Sequence, residues 1–152
     1  MTNTRVAPIA IRAATDGDLA AIEALLMSSE LPTDGVKEAL CGFLVAEADD
    51  RIVGVVGLES CGEYGLLRST AVAPKWRGRG IAKQLVERIV AEAESRNVRA
   101  LYLLTTTAEA YFPSFGFQVT SRDSAPDEIR ATSEFRGACP ASATLMCLSL
   151  HS

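Results

Sequence analysis

The run Val72-Ala73-Pro74-Lys75-Trp76-Arg77-Gly78-Arg79-Gly80-Ile81-Ala82 sets two glycines directly ahead of an apolar-periodic stretch. Glycine admits a left-handed backbone and lets the chain approach a ligand with no Cβ in the way. A helix beginning just past such a turn offers backbone N–H groups without intrahelical partners, together with the positive end of its dipole. This combination suits an anionic group such as a pyrophosphate. Arg77, Arg79 and Lys83 add positive charge to the same turn, and each of them is also compatible with a plain solvated side chain. The spacing is neither Gly-x-x-x-x-Gly-Lys-Ser/Thr nor Gly-x-Gly-x-x-Gly, so a nucleotide P-loop is excluded and a dinucleotide fold is unsupported.

Arg68 is the second chemical feature. It follows Leu66-Leu67 and precedes Ser69 in a segment otherwise expected to be buried, and a buried guanidinium requires an anion. Two partners satisfy that need equally: a carboxylate of the chain itself, or a substrate carboxylate held by the guanidinium fork. Under the second alternative Arg68 and Ser69 bind an amino-acid-like substrate.

Other chemistries find no support. The four cysteines, at 41, 61, 139 and 147, form no Cys-x-x-Cys pair, and the only histidine is His151. No metal site and no histidine-based triad is expected, and the cysteines read as free, mostly buried thiols. Fifteen basic and 19 acidic residues give a net charge of −4 without any block of one sign. A nucleic-acid or membrane-surface partner is therefore not expected, and a small molecule fits better. The N-terminus shows no hydrophobic signal core and no apolar run approaches a membrane span, which points to the cytoplasm.

These residues need elements to hold them. Residues 8–12 alternate like a strand, and Asp16 can cap a helix carrying Leu19, Ile22, Leu25 and Leu26. Residues 31–35 break the pattern before a short helical stretch. Residues 43–46 and 52–58 flank Asp49-Asp50 as a hairpin, and Tyr64 to Val72 forms a further strand closed by Pro74. Ile81, Leu85, Val86, Ile89, Val90 and Ala93 mark one stripe of a long amphipathic helix. Strands follow at 100–104, from 117, and at 144–150, with a capping box at Thr106-x-x-Glu109. The order implies a single α+β domain over residues 1–152, with a six- or seven-stranded mixed sheet and helices on both faces.

Arg77-x-x-Gly80-x-Ala82, after a strand ending Thr70-Ala71-Val72, resembles the acetyl-CoA signature of the GNAT N-acetyltransferase superfamily. The Phe-Gly-Phe at 115–117 is similar to that family's usual ending of the fourth helix. The resemblance implies the GNAT acyl-CoA N-acyltransferase fold with acetyl-CoA as co-substrate. It places Thr70, Ala71 and Val72 along the pantetheine arm, and Arg77, Gly78, Arg79, Gly80, Ile81, Ala82 and Lys83 at the pyrophosphate. Residues 31–35, 67–69 and 131–135 with Cys139-Pro140 look like a subgroup associated with arsenic-resistance operons.

Acetyl transfer to an amine needs a base for the ammonium and a proton for the departing thiolate. Many family members supply that proton from a tyrosine. Phe112 stands at the position resembling it and Tyr111 is the nearest phenol, so the donor is either Tyr111 or water. Glu59, at the end of the strand beside the splay that the resemblance implies, is the preferred base, and Glu63 competes with it. The implied activity is N-acetylation of a small amine, amino-acid-like or arsenic-related. An acyl-CoA-binding domain with little transferase activity and a peptide N-terminal acetyltransferase are the alternatives, and a homodimer is left open.

Overall fold

Successive residues of the central strands point to opposite sides of one sheet. Val45, Val55 and Ala71 pack with Ile22, Leu25 and Leu26, while Ala46, Val56 and Val72 pack with Ile81, Leu85 and Ile89. The period-2 pattern of each strand thus meets the 3.6-residue stripe of a helix on either face. Fully burying each large apolar side chain contributes roughly 1.5–3 kcal/mol.

The computed structural model describes residues 9–106, 110–139 and 142–150. Pro8, Pro140 and His151 lie outside them, as does most of the Thr106-x-x-Glu109 box. The elements are β1 (Ala10–Ala13), α1 (Leu19–Ser28), β2 (Phe43–Ala48), β3 (Arg51–Cys61), β4 (Tyr64–Val72), α2 (Ile81–Ser95), β5 (Ala100–Thr105), β6 (Gln118–Val119), α3 (Asp127–Arg130) and β7 (Thr144–Ser149). The seven strands form one sheet in the order β1-β2-β3-β4-β5-β7-β6. Neighbours are antiparallel except β4 and β5. α2 covers one face. α1 covers half of the other, and Ile129 of α3, packed with Leu66, Tyr102 and Leu145, covers the rest. This is the expected α+β layout. Among the described residues no helix is long and apolar enough to cross a membrane.

Local details depart from the sequence reading. Asp18, not Asp16, organises the start of α1. Its carboxylate accepts from Thr15 N at 2.7 Å and from Arg12 Nη1 at 2.8 Å, and the Arg12 hydrogen bonds hold it well below the usual carboxylate range. The short helix expected after Gly35 is a series of turns ending in a 3₁₀ turn, Leu40–Gly42. Phe112–Phe115 is likewise a 3₁₀ turn, closed by Gly116 in the left-handed region at φ 99°. The hairpin between β2 and β3 turns as expected at Asp49 and Asp50, both with positive φ.

Candidate active site

β4 pairs with β5 only through Tyr64, Gly65 and Leu66, opposite Ala100, Leu101 and Tyr102. Beyond these residues β4 continues to Val72 against β3, and β5 continues to Thr105 against β7. From Leu67 onward the two strands separate, and the edge of β4 that faces β5 has no strand partner among the described residues. The register explains the divergence: Val55 lies opposite Ala71 but Gly57 lies opposite Arg68, so β4 carries one residue more than β3 across Val56. That extra residue makes a β-bulge, with Ser69 in the left-handed region at φ 61°.

Two cavities occupy this opening. The larger, about 520 Å³, is lined by Ser29, Leu31, Thr70, Ala71 and Val72, by the turn from Trp76 to Lys83 except Arg79, and by Tyr111. The smaller, about 120 Å³, is lined on the β4 side by Leu67, Arg68 and Ser69 and on the β5 side by Leu103, Leu104 and Thr105, with Phe112, Glu134 and Cys139 beside them. Thr70 and Leu31 line both.

The glycine turn has the conformation that its composition requires. Gly78 and Gly80 lie at φ 79° and 78°, and a Cβ on either would meet nothing within 4 Å, so both face open space. The first intrahelical bond of α2 runs from Gln84 N to Gly80 O at 3.1 Å, and the N–H groups of Ile81, Ala82 and Lys83 precede that ladder. Arg77 braces the turn by donating from Nε to Val72 O at 3.0 Å. Arg79 lies over the Trp76 ring, 4.6 Å from its centroid. Lys83 is exposed on the first turn of α2. Two buried hydroxyls on the wall, Ser29 Oγ and Thr70 Oγ1, have no hydrogen-bond partner among the described residues. A ligand with phosphates at the turn and amide groups along β4 would satisfy both features.

Tyr111 lines the larger cavity and Phe112 the smaller. Phe112 is buried against Phe117, 5.8 Å between ring centroids, whereas Tyr111 is 39% exposed and stacks edge-on with Phe112 and Phe115 at 5.3 Å. Partial burial, with Glu87 adding to it, raises the Tyr111 phenol above its ordinary value.

Arg68 is enclosed by the protein, its side chain 0% exposed. Nη1 donates to Glu59 Oε1 at 3.1 Å, Nη2 to the carbonyl of Asp34 at 2.6 Å, and Nε to Ser69 Oγ at 3.0 Å, with Glu134 Oε2 at 3.5 Å. Of the two partners left open by the sequence, the structure supplies carboxylates of the chain. β3 runs on to Cys61, so Glu59 lies within the strand, where it lines neither cavity of the opening but a third, about 450 Å³, with Glu38, Cys41 and Ser60. Glu134 had no assigned role. It sits in a π-type turn, Glu134–Ala138, on the wall of the smaller cavity, and its only sequence signal was its place in a stretch with a family likeness. The four cysteines are free thiols, but they are not mostly buried: Cys61 is buried, Cys139 and Cys147 are half-buried, and Cys41 is exposed.

A sheet split beside a glycine turn and a helix N-terminus is the arrangement that the resemblance of residues 70–82 implies. The model of the acetyltransferase (GNAT) domain matches residues 39–119, and the chain belongs to this family of acetyltransferase enzymes. It is 29% identical over 125 residues to the uncharacterized protein YwlB of Bacillus subtilis (strain 168), covering 79% of this chain and 81% of that one. It is 33% identical over 86 residues to an amino-acid acetyltransferase of Pseudomonas syringae pv. syringae, covering 55% of this chain but 20% of the relative. Among solved structures it resembles N-acetylglutamate synthase from Neisseria gonorrhoeae complexed with coenzyme A and N-acetyl-glutamate. The TM-score there is 0.81 at 24% identity, over 97% of this chain and 36% of the synthase. The chain thus spans a minor part of these last two proteins.

Proposed function

We propose that this protein moves the acetyl group of acetyl-CoA onto the primary amine of a small, amino-acid-like molecule. The observation that carries the reading is the opening between β4 and β5, where the larger cavity meets the smaller one at Thr70 and Leu31. The pyrophosphate rests on the turn from Arg77 to Lys83, and the pantetheine arm follows Thr70, Ala71 and Val72. The thioester then lies at the junction, with the acceptor amine in the smaller cavity beside Ser69. The amino-acid acetyltransferase relative and the synthase that binds N-acetyl-glutamate favour an amino-acid-like acceptor. The likeness of residues 31–35, 67–69 and 131–135 with Cys139-Pro140 to the arsenic-resistance subgroup adds arsenic-related amines as acceptors to be tried. The reaction is placed in the cytoplasm, with no metal involved.

Thiol release from acetyl-CoA, measured over a panel of amino acids and their analogues, tests the reading. Release well above the hydrolytic background with at least one primary amine is expected. Tight acetyl-CoA binding without release on any amine would instead identify an acyl-CoA-binding protein.

Tyr111 is assigned the proton returned to the departing thiolate. General acid catalysis contributes about 10²–10⁴-fold, so Tyr111→Phe is expected to lower kcat at least tenfold with little change in acetyl-CoA affinity. A kcat within twofold of the parent, in a variant that melts normally, removes Tyr111 from the mechanism and leaves protonation to water.

A further inference from the structure

Glu134 is buried, at 4% exposure, and lines the smaller cavity together with Thr70, which also lines the larger one. At ion-pair distance, among the described residues, it has Arg68, which also holds a second carboxylate, and the charge of Arg122 acts on the neighbouring Cys139. Arg68 of β4 faces it at 3.5 Å, and the same guanidinium holds Glu59 of β3 at 3.1 Å. Asp34, in the turn region before β2, adds negative charge from a third side, and the Cys139 thiol hydrogen-bonds to the Glu134 carboxylate from its own segment. Burial, reinforced by Glu134, pushes the Cys139 thiol up to about 12, so it remains a neutral donor.

This charge count decides what Glu134 can do. If Arg68 had one carboxylate partner, protonating that partner would leave a buried cation alone, which is costly. Here Glu59 stays with Arg68 when Glu134 takes up a proton, and the net charge of the Arg68, Glu59 and Glu134 set moves from −1 to zero. A buried site of net negative charge also attracts an ammonium and then its proton.

Resting on the reading that the smaller cavity holds the acceptor, we propose that Glu134 is the base that deprotonates the acceptor ammonium, with Arg68 and Glu59 as its positioning residues. The N–H bond of the ammonium breaks and its proton passes to a Glu134 carboxylate oxygen. The freed nitrogen lone pair attacks the thioester carbonyl, a C–N bond forms, and the C–S bond breaks with its electron pair leaving on sulfur. The thiolate takes its proton from Tyr111, the nitrogen gives up its second proton to restore the phenol, and Glu134 returns its proton to water. Desolvation holds the Glu134 carboxyl above its ordinary range, which matches it better to an amine than an exposed glutamate would be.

The test compares two nucleophiles in wild-type protein and in Glu134→Gln. An alkyl amine is an ammonium at neutral pH and needs a base, whereas aniline is already neutral and does not. Glu134→Gln is expected to lose about a hundredfold in kcat on the alkyl amine, to stay within threefold on aniline, and to lose the acid limb of the kcat profile. Glu59→Gln is expected to keep an acid limb but to move it to lower pH, because Arg68 then has no other carboxylate at ion-pair distance, among the described residues, when Glu134 takes up a proton. Equal losses on both nucleophiles, or an acid limb that survives in Glu134→Gln, overturns the proposal. If the variant does not fold, the wild-type protein decides: its kcat must fall toward acid pH with the alkyl amine and stay flat with aniline, and a flat profile with both overturns it. Wild-type protein that acetylates no amine at all overturns the reading beneath, whereas active wild type with an equally active Glu134→Gln overturns Glu134 alone.

Discussion

Gly80→Asp is expected to raise the dissociation constant of acetyl-CoA about a thousandfold while leaving the protein folded. Gly80 is the N-cap of α2 at φ 78°, and the N–H groups of Ile81, Ala82 and Lys83 lie just beyond it. A carboxylate there takes the place of the phosphate at the positive end of the helix and repels it. Charge-assisted hydrogen bonds are worth roughly 1.5–3 kcal/mol each, so losing two amounts to about 3–6 kcal/mol, or 10²–10⁴-fold in affinity.

The fold should survive because a Cβ at Gly80 meets nothing within 4 Å, and aspartate is among the residues that tolerate the left-handed region. Gly80→Asn adds similar bulk without charge and should lose far less, which separates repulsion from backbone strain. Isothermal calorimetry with acetyl-CoA checks both variants. An unchanged affinity in Gly80→Asp would remove the turn from the cofactor site.

The parts of this site legible in the sequence are those written over short distances. The bounds of β4 and the stripe of α2 follow from local period, and the two glycines between them mark a turn whatever the rest of the chain does. Contacts between distant segments leave no such mark. Glu134 reaches Arg68 because α3 and the turn after it fold back over β4, and nothing in the period of residues 131–139 announces that approach. Glu59 was identified as a strand-end carboxylate, but pairing with Leu66 carries β3 past it to Cys61, and Arg68 on the neighbouring strand engages it. At the start of α1 the sequence points to Asp16, but Asp18 takes that place because Arg12, a residue of the preceding strand, engages its carboxylate. The helix expected after Gly35 fails for a related reason. Val36 and Leu40 are buried, but Gly35 in the left-handed region and Gly42 pressed against the Leu58 carbonyl bracket a segment too short for an independent helix.

Arg68→Met is expected to cost about 3–5 kcal/mol of stability, because it leaves Glu134 buried without its cation and removes the donor to the Asp34 carbonyl. In a domain of this size each kcal/mol lowers the melting temperature by roughly 2–4 °C, so a fall of about 10 °C follows. The deficit should also depend on pH, with a defined sign. Burial already raises the Glu134 carboxyl, with Arg68 opposing the rise, and without Arg68 it rises further. A carboxyl raised in the folded state binds its proton more tightly there than in the unfolded chain, whose glutamates titrate near ~4.3. The variant therefore gains stability as pH falls through that window, and its gap to the wild type narrows in acid. Replacing both residues, Arg68→Met with Glu134→Met, removes the stranded charge and should recover most of the loss at neutral pH. An Arg68 that served instead to anchor a substrate carboxylate would show the opposite pattern: nearly unchanged melting at every pH, and a raised KM for the true acceptor. Thermal melts of the single and double variants across the acid range, set beside acceptor kinetics, separate the two.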